Sequence, residues 1–519
     1  MRKNLSALLI CALLLSLLSG MALADDAAIQ TGGTFIVGVP GEPPTYNPNT
    51  AMDEAGLMVM TTLFNNLVTT DADNNTIPDL AYDWAYNEDY TELTFHLREG
   101  VVWHDGAPFT SADAKWTYDT IIAENGTLAA NLSKVTEITT PDDYTVVFHT
   151  AEPDSALLTS LGWSFGASVM PKHLYEGTDW LTNPVNQAPI GTSAYKFVSA
   201  DSVSVVLEAN EAYFGDGPYL DRIIFQIVTD PLTEYQMWQN GEIDLMYNTI
   251  PSTDFNKYDD DPAYNVRFNM VINRNYFTFN MLKEDNPTAD LRVRQAFNLA
   301  LDRQQILDLA LNSSGAVSEY YISPLFSWAL NEDAKIPARD VEQAKALLAE
   351  AGYTPDANGI ALTVACDYFM FDEILTVAQA NLREAGIDLQ LNKSELNAWM
   401  ERVMGGSYDV AFLGGDQGPD ISSIGQRVGS TGGLNLAFYA NPELDALLAQ
   451  GTASPDPAER APYYQQVQAI MAEDLPMVLT NEVGYKTITA KHIHGVPMVD
   501  DDARSRVTRY SYALVWIEQ

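Results

Sequence analysis

Residues 77–118 read IPDLAYDWAYNEDYTELTFHLREGVVWHDGAPFTSADAKWTY, and this stretch switches from strand grammar to helix grammar within a few residues. Residues 91–97 (TELTFHL) alternate polar and apolar side chains, the pattern of a half-buried strand. Asp105-Gly106 then supplies a tight turn, and Pro108 fixes its exit. Thr110, with Asp113 three residues on, is a capping-box variant that starts a helix at Ser111. These residues build a fold. The HDG triplet therefore reads as structural, and His104 as neither metal ligand nor base.

Working outward, residues 34–39, 145–149, 203–207 and 223–228 form further short strand-like runs. Helical spacing dominates later. Residues 291–311 carry one apolar face behind Asp290 as N-cap, and residues 341–351 and 374–385 stop at Gly352 and Gly386. Asn441-Pro442 and Asp456-Pro457 each set a capping residue before a proline at the first helical position. The runs ALTVAC (361–366), IDLQL (387–391) and YDVAFL (408–413) alternate with these helices, which predicts an α/β lobe with a mainly parallel sheet. The first half is richer in hairpin-like β segments. No repeat, low-complexity linker or long Pro/Ser-rich hinge occurs, so the lobes are expected to be joined by short crossings.

The amino terminus stands apart from the fold. Arg2 and Lys3 precede an apolar run over residues 5–18, and Ala22-Leu23-Ala24 is an A-x-A cleavage signal, so residues 1–24 read as a signal peptide cleaved after Ala24. The run is short for a permanent anchor, and Cys11 follows Leu-Leu-Ile where a lipid-anchored protein needs small residues. The mature chain is expected outside the cytoplasm, periplasmic or extracellular. It retains Cys366 alone, so its 495 residues must be held by their own core, enough for two or three lobes. Cys366 itself, in an apolar strand-like run, reads as a buried inert thiol. Loss of Arg2 and Lys3 leaves 26 basic against 70 acidic residues, a net charge of −44. That excludes nucleic acid and anionic lipid as partners, and its even spread suits solubility. A monomer is expected.

The PDLA, W, F-x-L-R-x-G and HDG-x-P elements of residues 77–118 are followed or preceded by further collinear motifs. These are PPTYNP at 43–48, PIGTSAYKF at 189–197, GEIDL at 241–245, VRQAFNLALDRQQI at 293–306, AKALLAEAGY at 344–353, NPELDALL at 441–448, and a final helix at 457–474. The set spans nearly the whole mature chain and resembles the family 5 extracellular solute-binding proteins, the peptide- and nickel-binding group of ABC importers. The resemblance implies a periplasmic-binding-protein-like clamp of two α/β lobes with a third, inserted domain. Lobe I would comprise 25–58, 186–268 and 481–519, the inserted domain 59–185, and lobe III 269–480. Two crossings near Asn269 and Thr480 would hinge the lobes shut over a small-molecule ligand, a peptide first of all. The closed form would dock on the membrane subunits of an ABC transporter. The resemblance implies neither catalysis nor a cofactor.

Closing on a peptide strips water from its charges, so the cleft must offer a carboxylate for the α-ammonium and neutral groups for the backbone. Residues 411–420, AFLGGDQGPD, follow a strand and are glycine-rich, so their backbone can approach a ligand. They occupy the place where family peptide binders carry their ammonium-binding aspartate. Asp416, beside Gly415, is the better match and Asp420 the alternate. Some dipeptide binders carry an arginine for the ligand carboxylate after the strand matching 362–366. Asp367-Tyr368-Phe369 stands there instead, leaving Arg402 and Arg427 as candidate bases, or a ligand that is longer or lacks a free carboxylate. Tyr368, Phe369, Trp399, Phe438 and Tyr439 are candidate walls, against an equal case for ordinary core aromatics. Tyr46 and Thr50 belong to a stretch that lines the cleft in relatives.

Other signals carry less. Residues 162–166 (GWSFG) fit the G-x-S-x-G elbow with Ser164 as nucleophile, but no clear helix follows, so a secreted serine hydrolase is a minor alternative. His492-x-His494 lacks a clear third ligand for a metal, and the segment from Asp71 lacks the glycine and final glutamate of a calcium loop. Other cargo for the same clamp (a nickel chelate, haem, or an oligosaccharide stacked on some of the 26 Tyr and 9 Trp) is the nearer alternative.

Overall fold

Two long strands, Tyr264–Phe279 and Met477–Ala490, pair antiparallel along most of their length and form the spine of the molecule. They belong to a six-stranded sheet in the order Ala316–Val317, Met477–Ala490, Tyr264–Phe279, Val410–Asp416, Leu362–Tyr368, Ile387–Lys393. The last three strands are mutually parallel, so their carboxyl ends open on one edge, but the other three pairings are antiparallel, and the sheet is mixed where the α/β pattern predicts a mainly parallel one. Side chains alternate across this sheet. Phe277, Phe412 and Val478 enter one apolar cluster and Tyr276 and Leu479 another, so both faces are covered. The structure, a computed structural model, describes residues 28–50, 53–71, 75–163, 166–246, 250–283, 285–497 and 511–519. The leader, Ser164 and most of the acidic loop after Asp71 lie outside the described residues.

Two further sheets have four strands each. One orders Thr34–Val39, Arg222–Ile227, Ser204–Ala209 and Tyr195–Ala200, over a core that includes Phe35, Phe225 and the tail residues Tyr512 and Val515. The other, Ala81–Tyr86, Glu92–Leu97, Thr145–Thr150 and Val135–Asp142, is antiparallel throughout and builds its own core around Phe95, Trp103, Tyr118 and Phe148.

Local signals in the sequence form as expected. The Thr110 N–H donates to Asp113 Oδ2 at 2.9 Å at the head of helix Ser111–Ala123, and Gly106, with φ 88°, makes the turn. The expected helix over 291–311 is instead two helices, Leu291–Ala300 and Arg303–Ala310. Leu301 is extended (φ −71°, ψ 127°), and Asp302 starts a new helix by accepting from Gln305 N. A capping aspartate thus competed with continuous periodicity and won.

His104 ties the HDG turn to the segment that follows the antiparallel sheet. The Gly191 N–H donates to its Nδ1 at 3.1 Å, and its Nε2 stands 3.0 Å from the Ser193 carbonyl. This fixes the neutral, Nε2-protonated imidazole, and burial depresses its pKa to about 4. In the unfolded chain the ring protonates near its ordinary value, so stability held above about pH 6.5 is lost as pH falls toward 4. A His104→Gln variant is expected to show a flatter loss of denaturation midpoint across that window. An unchanged slope would remove His104 as its source.

Between Met270 and Arg274 the spine slips register. Met270 faces Gly484 and Arg274 faces Glu482, so one strand takes four steps while the other takes two. Such a bulge bends a ribbon locally. The expected crossings at Asn269 and Thr480 fall inside these two strands, not in loops between elements.

Candidate ligand-binding cleft

The strand Val410–Asp416 lies between an antiparallel neighbour, Tyr264–Phe279, and a parallel one, Leu362–Tyr368. Strand order reverses here, because Ile387–Lys393 and Val410–Asp416 lie on opposite sides of Leu362–Tyr368, and crevices for ligands in open α/β sheets form outside carboxyl ends at such points. Its end is shaped by glycine. A Cβ on Gly414 would sit 2.1 Å from Asn275 Oδ1, whereas one on Gly415 would meet nothing nearer than Arg427 Nη2 at 3.9 Å. Gly414 is thus required for packing, and Gly415 leaves an open face. Asp416 closes the strand with Asn273 as its cross-strand partner, and the Gln417 N–H donates to the Ile272 carbonyl at 2.7 Å. Gly418, with φ 87°, turns the chain away.

Asp420 has a different task. Its Oδ1 accepts from the Ser422 N–H at 2.9 Å and from Arg460 Nη2 at 2.6 Å, while Oδ2 accepts from Arg460 Nη1 at 2.9 Å. Both residues are 4% exposed. Its charge is therefore already matched inside the lobe, and of the two aspartates only Asp416 stands at the strand end.

The strand Leu362–Tyr368 ends lower, with Asp367 beside Ala411, and its loop continues until the Phe371 ring meets Gly414. Arg402 Nη1 donates to Asp367 Oδ1 at 2.8 Å, so this candidate base is engaged; burial still pushes the Asp367 carboxyl upward against that pull. Trp399 is buried, its indole N–H held by the Asp367 carbonyl at 3.0 Å, and its ring lies 5.0 Å from Phe369. Tyr368 is buried and donates its hydroxyl to Asp372 at 3.0 Å. Arg427 is buried and hydrogen-bonded to Tyr276.

Phe438 packs in one apolar cluster with Trp399, Val403 and Phe369, whereas Tyr439 enters the cluster of Tyr276 and Tyr464. The Asn280 N–H donates to the Asp409 carbonyl, which places the segment after Phe279 at the amino end of Val410–Asp416. Phe438 lies beside Gly406 there, the Tyr439 hydroxyl bonds Asp474, and both line a separate 380 Å³ pocket with Leu282 and Met404. Tyr46 is buried against Phe197, 5.5 Å between rings, and burial, helped by Glu42, pushes its hydroxyl up to about 12. It is a core residue of the first four-stranded sheet. Thr50 stays half-buried at the end of a loop pinned by Asn47 and Asn49, which bond the Trp180 and Ser168 carbonyls.

Sequence reasoning missed a polar group inside the spine. Arg274 and Glu482 form a fully buried pair (Nε to Oε1 2.9 Å), with Ser318 Oγ donating to the same oxygen at 2.6 Å. Arg274 faces Gly415 and Asn275 faces Gly414 across the sheet, so this group backs the open strand end. Its signal was available: INRNY and LTNEV interrupt apolar strands with polar residues. A 480 Å³ cavity lies elsewhere, lined by Asp79, Arg98, Tyr213 and the tail residues Ala513 and Leu514. Among the described residues no group of three or more His, Cys, Asp or Glu could hold a metal ion, and no helix is long and apolar enough to cross a membrane. His494 stacks on Trp516 with ring centroids 4.1 Å apart.

Comparison with known proteins agrees with this architecture. The profile described as "Bacterial extracellular solute-binding proteins, family 5 Middle" matches residues 75–433. The oligopeptide-binding protein AppA of Bacillus subtilis is 27% identical over 503 residues, covering 91% of each chain. A putative ABC transporter peptide-binding protein of Brucella ovis is 30% identical over 476 residues, covering 87% of each. The crystal structure of the ABC transporter substrate-binding protein CtaP from Listeria monocytogenes superposes with a TM-score of 0.82 at 25% identity, covering 94% of this chain and all of that one. The chain therefore belongs to the bacterial extracellular solute-binding proteins of family 5.

Proposed function

We propose that this protein captures peptides in the cleft at the carboxyl edge of its six-stranded sheet and delivers them to the membrane subunits of an ABC importer. The observation that carries the reading is the open face of Gly415 beside Asp416, at the point where strand order reverses and next to the slipped spine. Relatives named for oligopeptide and peptide binding, similar over most of their length, support the cargo class. In this reading residues 25–58, 186–268 and 481–519 form lobe I, 59–185 the inserted domain and 269–480 lobe III, and the bulge at 270–274 is the hinge. The leader is removed after Ala24, the mature protein acts as a monomer outside the cytoplasm, and the ligand leaves with its bonds unchanged.

Asp416 receives the ligand α-ammonium. At about 4 Å and a moderate effective dielectric such a pair is worth roughly 4 kcal/mol before desolvation is counted. Asp416→Asn is therefore expected to weaken binding of the co-purified peptide at least tenfold, about 1.4 kcal/mol, by calorimetry. Mass spectrometry of the native protein identifies that ligand. Unchanged affinity would remove Asp416 from the site, and recovery of a non-peptide solute would overturn the cargo class. Labelling by a serine-reactive phosphonate would count against a purely binding role.

A further inference from the structure

Two strands on one side of Val410–Asp416 each lead into an exposed apolar residue. Leu362–Tyr368 and Ile387–Lys393 run parallel to one another, and the first of them also pairs in parallel with Val410–Asp416. Met370 follows the first, 46% exposed, and Leu396 follows the second, 47% exposed. Beneath them Phe369 rests half-buried on Trp399, whose indole is locked to the Asp367 carbonyl. The next residue, Phe371, holds the left-handed conformation (φ 80°) with its ring against Gly414. A bulky side chain in that region is strained, and such strain persists where packing over-determines it. The lip is thus a fixed aromatic floor under a flexible methionine, a surface that adapts to apolar groups of differing shape.

Its charges are already matched. Lys393 donates to Asp372 at 2.5 Å and Arg402 to Asp367 at 2.8 Å. An acidic or C-terminal carboxylate group of a ligand therefore finds both cations here engaged, whereas an apolar side chain displaces water at little polar cost. Register sets the spacing. Asp367 lies beside Ala411, so Asp416 stands five positions beyond that level and Met370 three. The loop then carries the Phe371 ring against Gly414, two residues before Asp416, which brings its neighbour Met370 within reach of the first or second side chain of an extended peptide held there.

We infer that the peptides taken by this protein carry a bulky apolar residue at their first or second position, seated on Phe369, Met370 and Leu396. This rests on the peptide reading of the cleft. The test is calorimetry on the full mature protein with pentapeptides of alanine whose first two positions carry Phe, Leu, Ser or Glu. Peptides with Phe or Leu at one of the two positions are expected to bind at least tenfold more tightly than the Ser or Glu peptides. In a Met370→Ser, Leu396→Ser double variant their affinity should fall to that of the Ser peptide, and Met370→Leu should retain the preference. Equal affinity across the panel, or a preference untouched by the double variant, overturns the inference while leaving peptide binding intact. If no peptide of the panel binds and a different solute co-purifies, the peptide reading and this inference both fall.

Discussion

Arg274→Met is expected to cost about 3–5 kcal/mol of folding stability, because it leaves the Glu482 carboxylate charged and unmatched in the interior. Arg274 and Glu482 are 0% and 1% exposed, and the guanidinium also reaches the Tyr320 carbonyl. Arg274 Nη1 and Glu482 Oε2 make no hydrogen bond, so each group relies on the other more than on surrounding dipoles. Replacing both residues by Met removes two buried charges together and is expected to restore most of the loss, since apolar substitutes of similar volume are often neutral. Ser318 then loses its acceptor, which sets a residual cost of about 1 kcal/mol. Denaturant midpoints of the three proteins decide this. A single variant within 1 kcal/mol of the parent, or a double variant no better than the single, would refute the account. Because the pair sits where the spine slips register, the same variants should also change the affinity for ligand without touching it. Its replacement alters the free-energy difference between lobe arrangements.

How much of this was legible in the sequence depended on distance along the chain. Thr110 with Asp113, Gly352, Gly386, Asn441-Pro442 and Asp456-Pro457 act within a few residues, and each forms the cap or stop that its chemistry predicts. The break at Leu301 was local too, but two signals disagreed: apolar spacing continued through the segment while Asp302 offered a new cap. The site was harder. Phe438 and Tyr439 are adjacent in sequence, yet Phe438 packs with Trp399 and Phe369 while Tyr439 turns to Asp474 and another cluster. Nothing local reports which cluster each residue of a loop joins. Arg274 and Glu482 stand 208 residues apart, so only folding reveals them as one group. The strand ends carrying Gly415 and Tyr368 were legible because the apolar pattern already located both strands.

Asp420 and Asp416 looked alike in sequence, and Arg460 separates them. The two forks of an arginine and a carboxylate meet here in parallel, at 2.6 and 2.9 Å, and the same guanidinium donates from Nε to the Gly451 carbonyl at 2.8 Å. It also lies over the rings of Trp328 and Tyr464, 5.4 and 5.5 Å from their centroids. The pair therefore pins the turn after Val410–Asp416 to helix Pro457–Asp474 and to the end of helix Pro442–Gly451. Arg460→Met strands a buried carboxylate and Asp420→Ala a buried guanidinium, so each is expected to lose about 3–5 kcal/mol in the absence of ligand. If Asp420 instead served the ligand ammonium, Asp420→Ala would leave the empty protein nearly as stable as the parent and abolish binding. The expected result is the reverse: a large fall in the denaturation midpoint of the ligand-free protein, with affinity measured well below that midpoint changed less than by Asp416→Asn. Stability and affinity measured on the two aspartate variants thus separate the residue that holds the turn from the residue that meets the guest.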